Sequence, residues 1–267
     1  MTNEHHPREP TSTAALGYTE AASMHPEPDP ALGPGSTDLV LPRAAKVLPI
    51  DELIDATSTG AEQSESFASV LARRRSIREY GPLSSSELVR LLDQVFKLQC
   101  FADADDGAVR RFRPIPSAGA RHPVVPLVLV EDVSGLEHGL WRLDTDGRRL
   151  LLVETDPAGL DLAWGKVLDA GQFDERPPAV VVVGARFDAT LARYPGGSTL
   201  VWRDGGVALG ALHLTATAAG LGSCILGTAG ILDRNLLEIG GLVGSLVGDI
   251  GCVAVGGLPT PRLEAGS

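Results

Sequence analysis

Apolar positions recur at helical spacing in two stretches of the first half of the chain. SFASVLARRR, residues 66 to 75, aligns Phe67, Val70 and Leu71 on one face. SSELVRLLDQVFKLQ does the same with Leu88, Leu91, Leu92, Val95 and Leu98. Ser84 followed by Glu87 forms a capping box that opens the second helix, and Gly81 and Pro82 mark the turn between the two. Downstream the period shortens. PVVPLVLVED (123 to 132), GLWRLDT (139 to 145) and RLLLVET (149 to 155) predict strands, the last two joined as a hairpin through Asp146 and Gly147. PAVVVVGAR (178 to 186) is an unbroken β-branched run, as in a strand covered on both faces. GGVALGALHLTATAAG (205 to 220) predicts a helix whose Gly and Ala positions admit a second backbone at close range, and CVAVGGLP (252 to 259) a last strand. Helices and strands interleave without a strict βαβ repeat, which predicts an α+β fold.

Residues 1 to 37 are rich in Pro, Gly, Ser, Thr and Glu and read as a disordered tail. A short extended segment, DLVLP, begins at Asp38, and residues 38–267 read as one domain. The stretch from Gly205 to Leu232 carries no formal charge and is long enough for a bilayer. Its Gly, Thr, Ser, Cys and His content and the Arg203-Asp204 lead-in predict a buried helix of a water-soluble protein instead. No membrane partner is expected.

Composition narrows the function classes. A formal charge of −11, a pI near 5.0 and 4% aromatic residues argue against a nucleic-acid surface. Cys100, Cys224 and Cys252 are odd in number and widely spaced, so neither a disulfide framework nor a metal site is expected, and a reducing cytoplasm fits. GxGxxG after a strand, a Walker loop, HExxH and GxSxG are all missing.

One cluster runs against the acidic balance. RRRSIREYGPLSSSEL, residues 73 to 88, holds Arg73, Arg74, Arg75 and Arg78. Arg74, Ser76 and Arg78 alternate, so in an extended segment they would present two guanidinium forks and a hydroxyl to one side, a set suited to phosphate. A helix's last turn also favours arginine with no ligand at all. This string resembles the entry signature of the flavin-dependent nitroreductase superfamily. PIPSAGARHP (114 to 123), AGLGSCILG (219 to 227) and AVGGLPTPR (254 to 262) agree with it in the family's order, and together they look most like the SagB-type branch, the azoline dehydrogenases.

The resemblance implies a nitroreductase-like fold, with a central, mostly antiparallel sheet flanked by helices, and FMN bound at a homodimer interface. It implies that Arg74, Ser76 and Arg78, joined by the late Arg262, hold the FMN phosphate. It further implies that Pro116, Ser117, Gly119 and His122 lie along the isoalloxazine ring, with backbone N–H near Leu226 and Gly227 facing its N5. SagB-type enzymes oxidise thiazoline or oxazoline rings of ribosomally made peptides to thiazoles or oxazoles. An azoline-containing precursor peptide and a cyclodehydratase are the implied partners. The family's Lys-Tyr pair matches Arg193-Tyr194 here. Arginine stays protonated near neutral pH, so either Tyr194 is the base with Arg193 as its neighbouring cation or another group takes the proton. His122 and His213 are the other titratable candidates, His213 reading as a core residue. Two other functions stay open: an NAD(P)H-dependent nitro or quinone reductase on the same scaffold, and a flavin-free scaffold subunit of a biosynthetic complex.

Overall fold

The structure is a computed structural model and describes residues 40–54, 65–103, 109–244 and 246–259. The tail proposed for residues 1 to 37, and Arg262, lie outside the described residues. The element order is β1 (Ala44–Pro49), α1 (Ile50–Leu53), α2 (Phe67–Arg73), β2 (Leu83–Ser84), α3 (Ser85–Phe96), β3 (Cys100–Asp103), β4 (Val109–Phe112), β5 (Val124–Val130), β6 (Val133–Ser134), β7 (Gly139–Asp144), β8 (Arg149–Val153), α4 (Pro157–Gly171), β9 (Ala179–Arg186), α5 (Phe187–Leu191), α6 (Ser198–Ala218), β10 (Leu221–Leu226), α7 (Arg234–Ile239) and β11 (Val247–Gly257).

A seven-stranded sheet runs β1-β8-β7-β5-β9-β11-β10, and each neighbouring pair in it is antiparallel. The expected α+β architecture with a central antiparallel sheet flanked by helices is the one found. Two buried clusters divide the core. One packs α3 and α6 against one face of the sheet through Leu88, Leu92, Trp141, Val181, Val253 and Leu212. The other packs α4 and α7 against the opposite face through Leu127, Trp164, Val182, Leu236 and Cys224. The residues of β9 are all buried, as the unbroken run of valines predicts for a central strand covered on both faces.

Local signals in the sequence are visible in the structure. Ser84 accepts from the Glu87 N–H at 3.3 Å while a Glu87 carboxylate oxygen accepts from the Ser84 N–H at 2.9 Å, the reciprocal capping box. The β7–β8 hairpin pairs Leu143 with Leu150 across the Asp146-Gly147 turn. α6 begins at Ser198, earlier than the uncharged run from Gly205, because Arg203 projects into solvent and Asp204 finds partners inside. A Cβ at Gly205 would lie 2.6 Å from Ile250 Cγ2, so this glycine lets α6 settle on β11. The extended segment expected at DLVLP falls later, as β1 at Ala44–Pro49. Among the described residues, no helix is long and apolar enough to cross a membrane.

Candidate functional site

α2 ends at Arg73, and Arg74 is its C-cap with extended dihedrals (φ −53°, ψ 127°), so the arginine-rich string leaves the helix as extended chain. It then runs along the β10 edge of the sheet, where the Ile77 N–H donates to the Ser223 carbonyl at 2.9 Å. Gly81 and Gly257 exchange backbone hydrogen bonds of 2.9 and 3.1 Å at the end of β11. A Cβ on Gly256 would stand 2.7 Å from Tyr80 Cβ, which is why this Gly-Gly pair follows the last strand's apolar run. The Gly-rich strings of β10 and β11 thus serve as the docking floor of the arginine segment.

The forks of Arg74 and Arg78 meet partners in opposite layers. Arg74 Nη1 lies 3.0 Å from His213 Nε2 on α6, while Arg78 Nε donates to the Gly171 carbonyl at the end of α4, at 3.3 Å. The described chain gives the two no common partner, and Ser76 and Arg78 remain exposed at the sheet edge between them. A guanidinium only donates, so His213 Nε2 is the acceptor. The imidazole is neutral with its proton on Nδ1, which donates to Ser223 Oγ at 2.7 Å. Burial, and then Arg74, push the His213 pKa down from its ordinary value. His213 is the buried, hydrogen-bonded residue expected, and it also orients the first guanidinium.

The PSAGARHP string forms a tight loop before β5. Ser117 Oγ donates to Asp204 Oδ2 at 2.6 Å and accepts from the His122 N–H at 2.9 Å, and the Ala118 N–H lies 3.3 Å from each Asp204 oxygen. Gly119, Ala120 and His122 have φ of 60°, 52° and 44°. The last two are left-handed residues with side chains, each a cost of about 1–2 kcal/mol. Tyr194 closes over this loop: a Cβ on Gly119 would fall 2.7 Å from its hydroxyl. The Arg193 guanidinium sits 6.0 Å from the Tyr194 ring centroid. Burial, then Arg113 and Arg111, lower the His122 pKa to about 4, whereas burial raises that of Asp204 against the pull of Ser117 and Ala118.

Asp204 and His213 stand on the same helix, separated along its axis by about 14 Å at 1.5 Å per residue. α6 is therefore the spine that connects the loop, with Tyr194, to the arginine segment. Leu226, the last residue of β10, is buried against β11, and Gly227 follows exposed, with no atom within 4 Å of where a side chain would begin. Pro116 is exposed at the start of the loop. Sequence reasoning took Asp204 only as a possible structural pair with Arg203, and missed its role in positioning the loop through Ser117 and Ala118. Its signal was its place as the last charge before a long uncharged run of the same helix, where a carboxylate needs a donor.

No family model matches the chain. A protein of Methanocaldococcus jannaschii named as a nitroreductase is 30% identical over 173 residues, covering 64% of this chain and 81% of the relative. The chain belongs to the nitroreductase family. Solved structures share its fold. A nitroreductase structure from Ralstonia eutropha superposes with a TM-score of 0.57 at 20% identity, over 84% of this chain and 98% of that one. Another from Anabaena variabilis reaches 0.58 at 16% identity, over 90% of this chain and 45% of that one. A chain of the Escherichia coli microcin synthetase McbBCD complex, with truncated pro-MccB17 bound, reaches 0.51 at 21% identity over 72% and 73%. At these identities the likeness is one of fold.

Proposed function

We propose that this nitroreductase-family chain binds FMN and oxidises peptide thiazolines or oxazolines to thiazoles or oxazoles. The observation that carries the reading is the closure of Tyr194 on Gly119: a phenol hydroxyl meets the loop that resembles the flavin loop of SagB-type enzymes. The donor set suits FMN. In this reading Arg74, Ser76 and Arg78 would hold the phosphate at the sheet edge, with Arg262 joining from the C-terminal segment. Pro116, Ser117, Gly119 and His122 would border the ring, and the open space beyond Leu226 at Gly227 suits its approach.

When bound, FMN supplies a two-electron acceptor for the hydride leaving one ring carbon of the azoline. The chain's residues do the rest. As a phenolate, the Tyr194 oxygen would take the proton from the adjacent ring atom, with the Arg193 guanidinium, 6.0 Å from its ring centroid, as the neighbouring cation. Asp204 and Ser117 hold the loop in its left-handed turn, so that its backbone stays fixed under the substrate. His122 is neutral above about pH 4, so it adds no further charge to a loop that already carries Arg121.

The apolar side chains Phe67, Leu71, Trp202, Val207 and Ile225 are exposed on α2, α6 and β10, and a second copy of the chain would cover them in the homodimer this reading requires. The substrate would be an azoline-containing precursor peptide, delivered in the company of a cyclodehydratase. The nitroreductase designation of the archaeal relative favours a second reading, reduction of nitro or quinone compounds by NAD(P)H on the same scaffold. The absorbance spectrum of purified protein tests flavin binding, and a colourless protein would leave only a scaffold role. Incubation with an azoline peptide under oxygen then separates the two redox readings. Loss of two hydrogens per ring, strongly slowed in Tyr194→Phe with flavin retained, is expected; bleaching by NAD(P)H without ring oxidation would replace the first reading with the second.

A further inference from the structure

Asp249 on β11 is a carboxylate only 7% exposed, beside the apolar layer that holds Ile231 and Leu232. The register of β11 against β9 shifts between Asp249 and Gly251, and such a bulge re-aims a side chain. The side chain meets the loop that follows β10. The Gly230 N–H donates to Asp249 Oδ1, and the Leu232 N–H donates to Oδ2 at 2.9 Å. Gly230 has a φ of 83°, a left-handed turn that brings successive N–H groups round to one anion. Burial raises the Asp249 pKa, while the N–H groups of Gly230, Leu232 and Ile231, and then Lys166, pull against it. Lys166 on α4 holds the same turn by its carbonyls, its Nζ donating to Gly230 at 2.8 Å and to Ile231 at 3.4 Å.

This clamp acts on a short exposed bridge. Leu226 is buried at the end of β10, and Ile231 and Leu232 are 1% and 2% exposed. From Leu226 the chain reaches the clamped Gly230 through Gly227, Thr228 and Ala229, with open space where a Gly227 side chain would begin. Three residues span at most about 11 Å, so the place of Gly230 sets the place of Gly227. A carboxylate buried among apolar residues is costly unless its lone pairs find donors, and here the donors are backbone groups of this one turn.

We propose that Asp249 is a positioning residue for the flavin's reactive edge: it fixes the Gly227 N–H against N5, while Lys166 steadies the turn from the other side. The inference rests on the FMN reading above and gives it a thermodynamic consequence. The N5 of oxidised flavin accepts a hydrogen bond, whereas in reduced flavin it carries a hydrogen of its own. A donor held there favours the oxidised form, so loosening it should raise the reduction potential. A change that only weakens the fold would lower the affinity for both forms alike and leave the potential where it was.

Redox titration of the purified full-length chain loaded with FMN, in the parent, Asp249→Asn and Lys166→Gln, tests the proposal. In Asp249→Asn the preference for oxidised over reduced FMN should fall about tenfold, a rise of about 30 mV for a two-electron couple. Amide exchange over residues 227–232 of the flavin-free chain should accelerate about tenfold in the same variant. Lys166 is exposed, so Lys166→Gln puts no buried group at risk, and it should move the potential in the same direction by less. Its result decides should Asp249→Asn not fold. An unmoved or lowered potential, or unchanged loop exchange, would overturn the proposal and leave the FMN reading standing. A chain that takes up no FMN would instead remove that reading, and the proposal with it.

Discussion

Replacing Ser117 with Ala should loosen the loop while leaving the global fold almost as stable as before. The Ser117 hydroxyl makes a charge-assisted bond to Asp204 and accepts the His122 N–H. By general magnitudes these contribute about 1.5–3 and about 0.5–1.5 kcal/mol. Opposing them, the left-handed Ala120 and His122 together cost about 2–4 kcal/mol. The two sums nearly cancel, so the loop is held in its turn by a small margin that the hydroxyl supplies. Without it the loop relaxes and recovers its strain. The midpoint of denaturant unfolding should then move by less than about 1 kcal/mol, while local opening becomes easier by about 2 kcal/mol, roughly a 30-fold loss of amide protection. Hydrogen exchange over residues 114–123 measures the second quantity directly. Ala120→Gly removes part of the strain and should restore about 0.5–1 kcal/mol of the lost protection. Unchanged loop protection in Ser117→Ala, or no recovery in the double variant, would refute the balance of strain against anchor. Asp204→Asn should behave like Ser117→Ala and have the further effect of removing a titration. The raised carboxyl pKa of Asp204 contributes stability below the ordinary carboxylate range, near pH 3.9, and that contribution is lost as pH rises through its folded value.

Three other outcomes are expected. Arg74→Ala combined with Arg78→Ala should abolish co-purification of flavin with little change in Tm, read from the absorbance of the isolated protein; retained stoichiometric flavin would remove the phosphate role. Acid should destabilise the native state between the ordinary histidine pKa, about 6.5, and about 4. His213 and His122 both have depressed pKa values when folded, so their contribution is complete above pH 6.5 and is lost as pH falls. His213→Gln, whose amide oxygen can still accept from Arg74, should flatten that slope in pH-dependent chemical denaturation, and an unchanged slope would acquit His213. Gly205→Ala should gain about 1 kcal/mol in helix propensity and lose about 1–3 kcal/mol by overpacking on Ile250. The balance should reverse in an Ile250→Ala background, as equilibrium unfolding of the four variants would show.

What the sequence disclosed follows the range over which its signals act. The Ser84 capping box and the Asp146-Gly147 hairpin depend on residues within a few positions of each other, and both appear where they were expected. The unbroken valines of β9 announce a strand buried on both faces, because no polar position could face water. α4 was missed: its buried Leu160, Ala163, Trp164 and Val167 sit among exposed Leu162 and Gly165, which blurs the helical stripe. β10 was missed as a strand because its flanking glycines read as a loop signature, whereas Gly222 lies where a Cβ would come 3.0 Å from Ile77 Cγ2.

The candidate site shows the same limit at longer range. Alternation in Arg74, Ser76 and Arg78 predicts side chains on a common side, a rule that holds for a regular strand with neighbours on one face. This segment instead runs along the outer edge of the sheet, where helices cover both faces. Arg74 can reach α6 on one side and Arg78 the end of α4 on the other. An anion gripped by both forks must therefore lie off the sheet edge itself, in line with Ser76, and not over either face. Among the described residues nothing covers that position, and a second copy covering Phe67, Leu71 and Ile225 would close it. If the proposed FMN site and dimer are right, flavin affinity and dimerisation are one equilibrium on this geometry. Charge placed at Ile225, as in Ile225→Glu, should weaken both together, measured by sedimentation and by flavin retention in the same samples; a monomer that keeps its flavin would separate them and show that one chain builds the phosphate site alone.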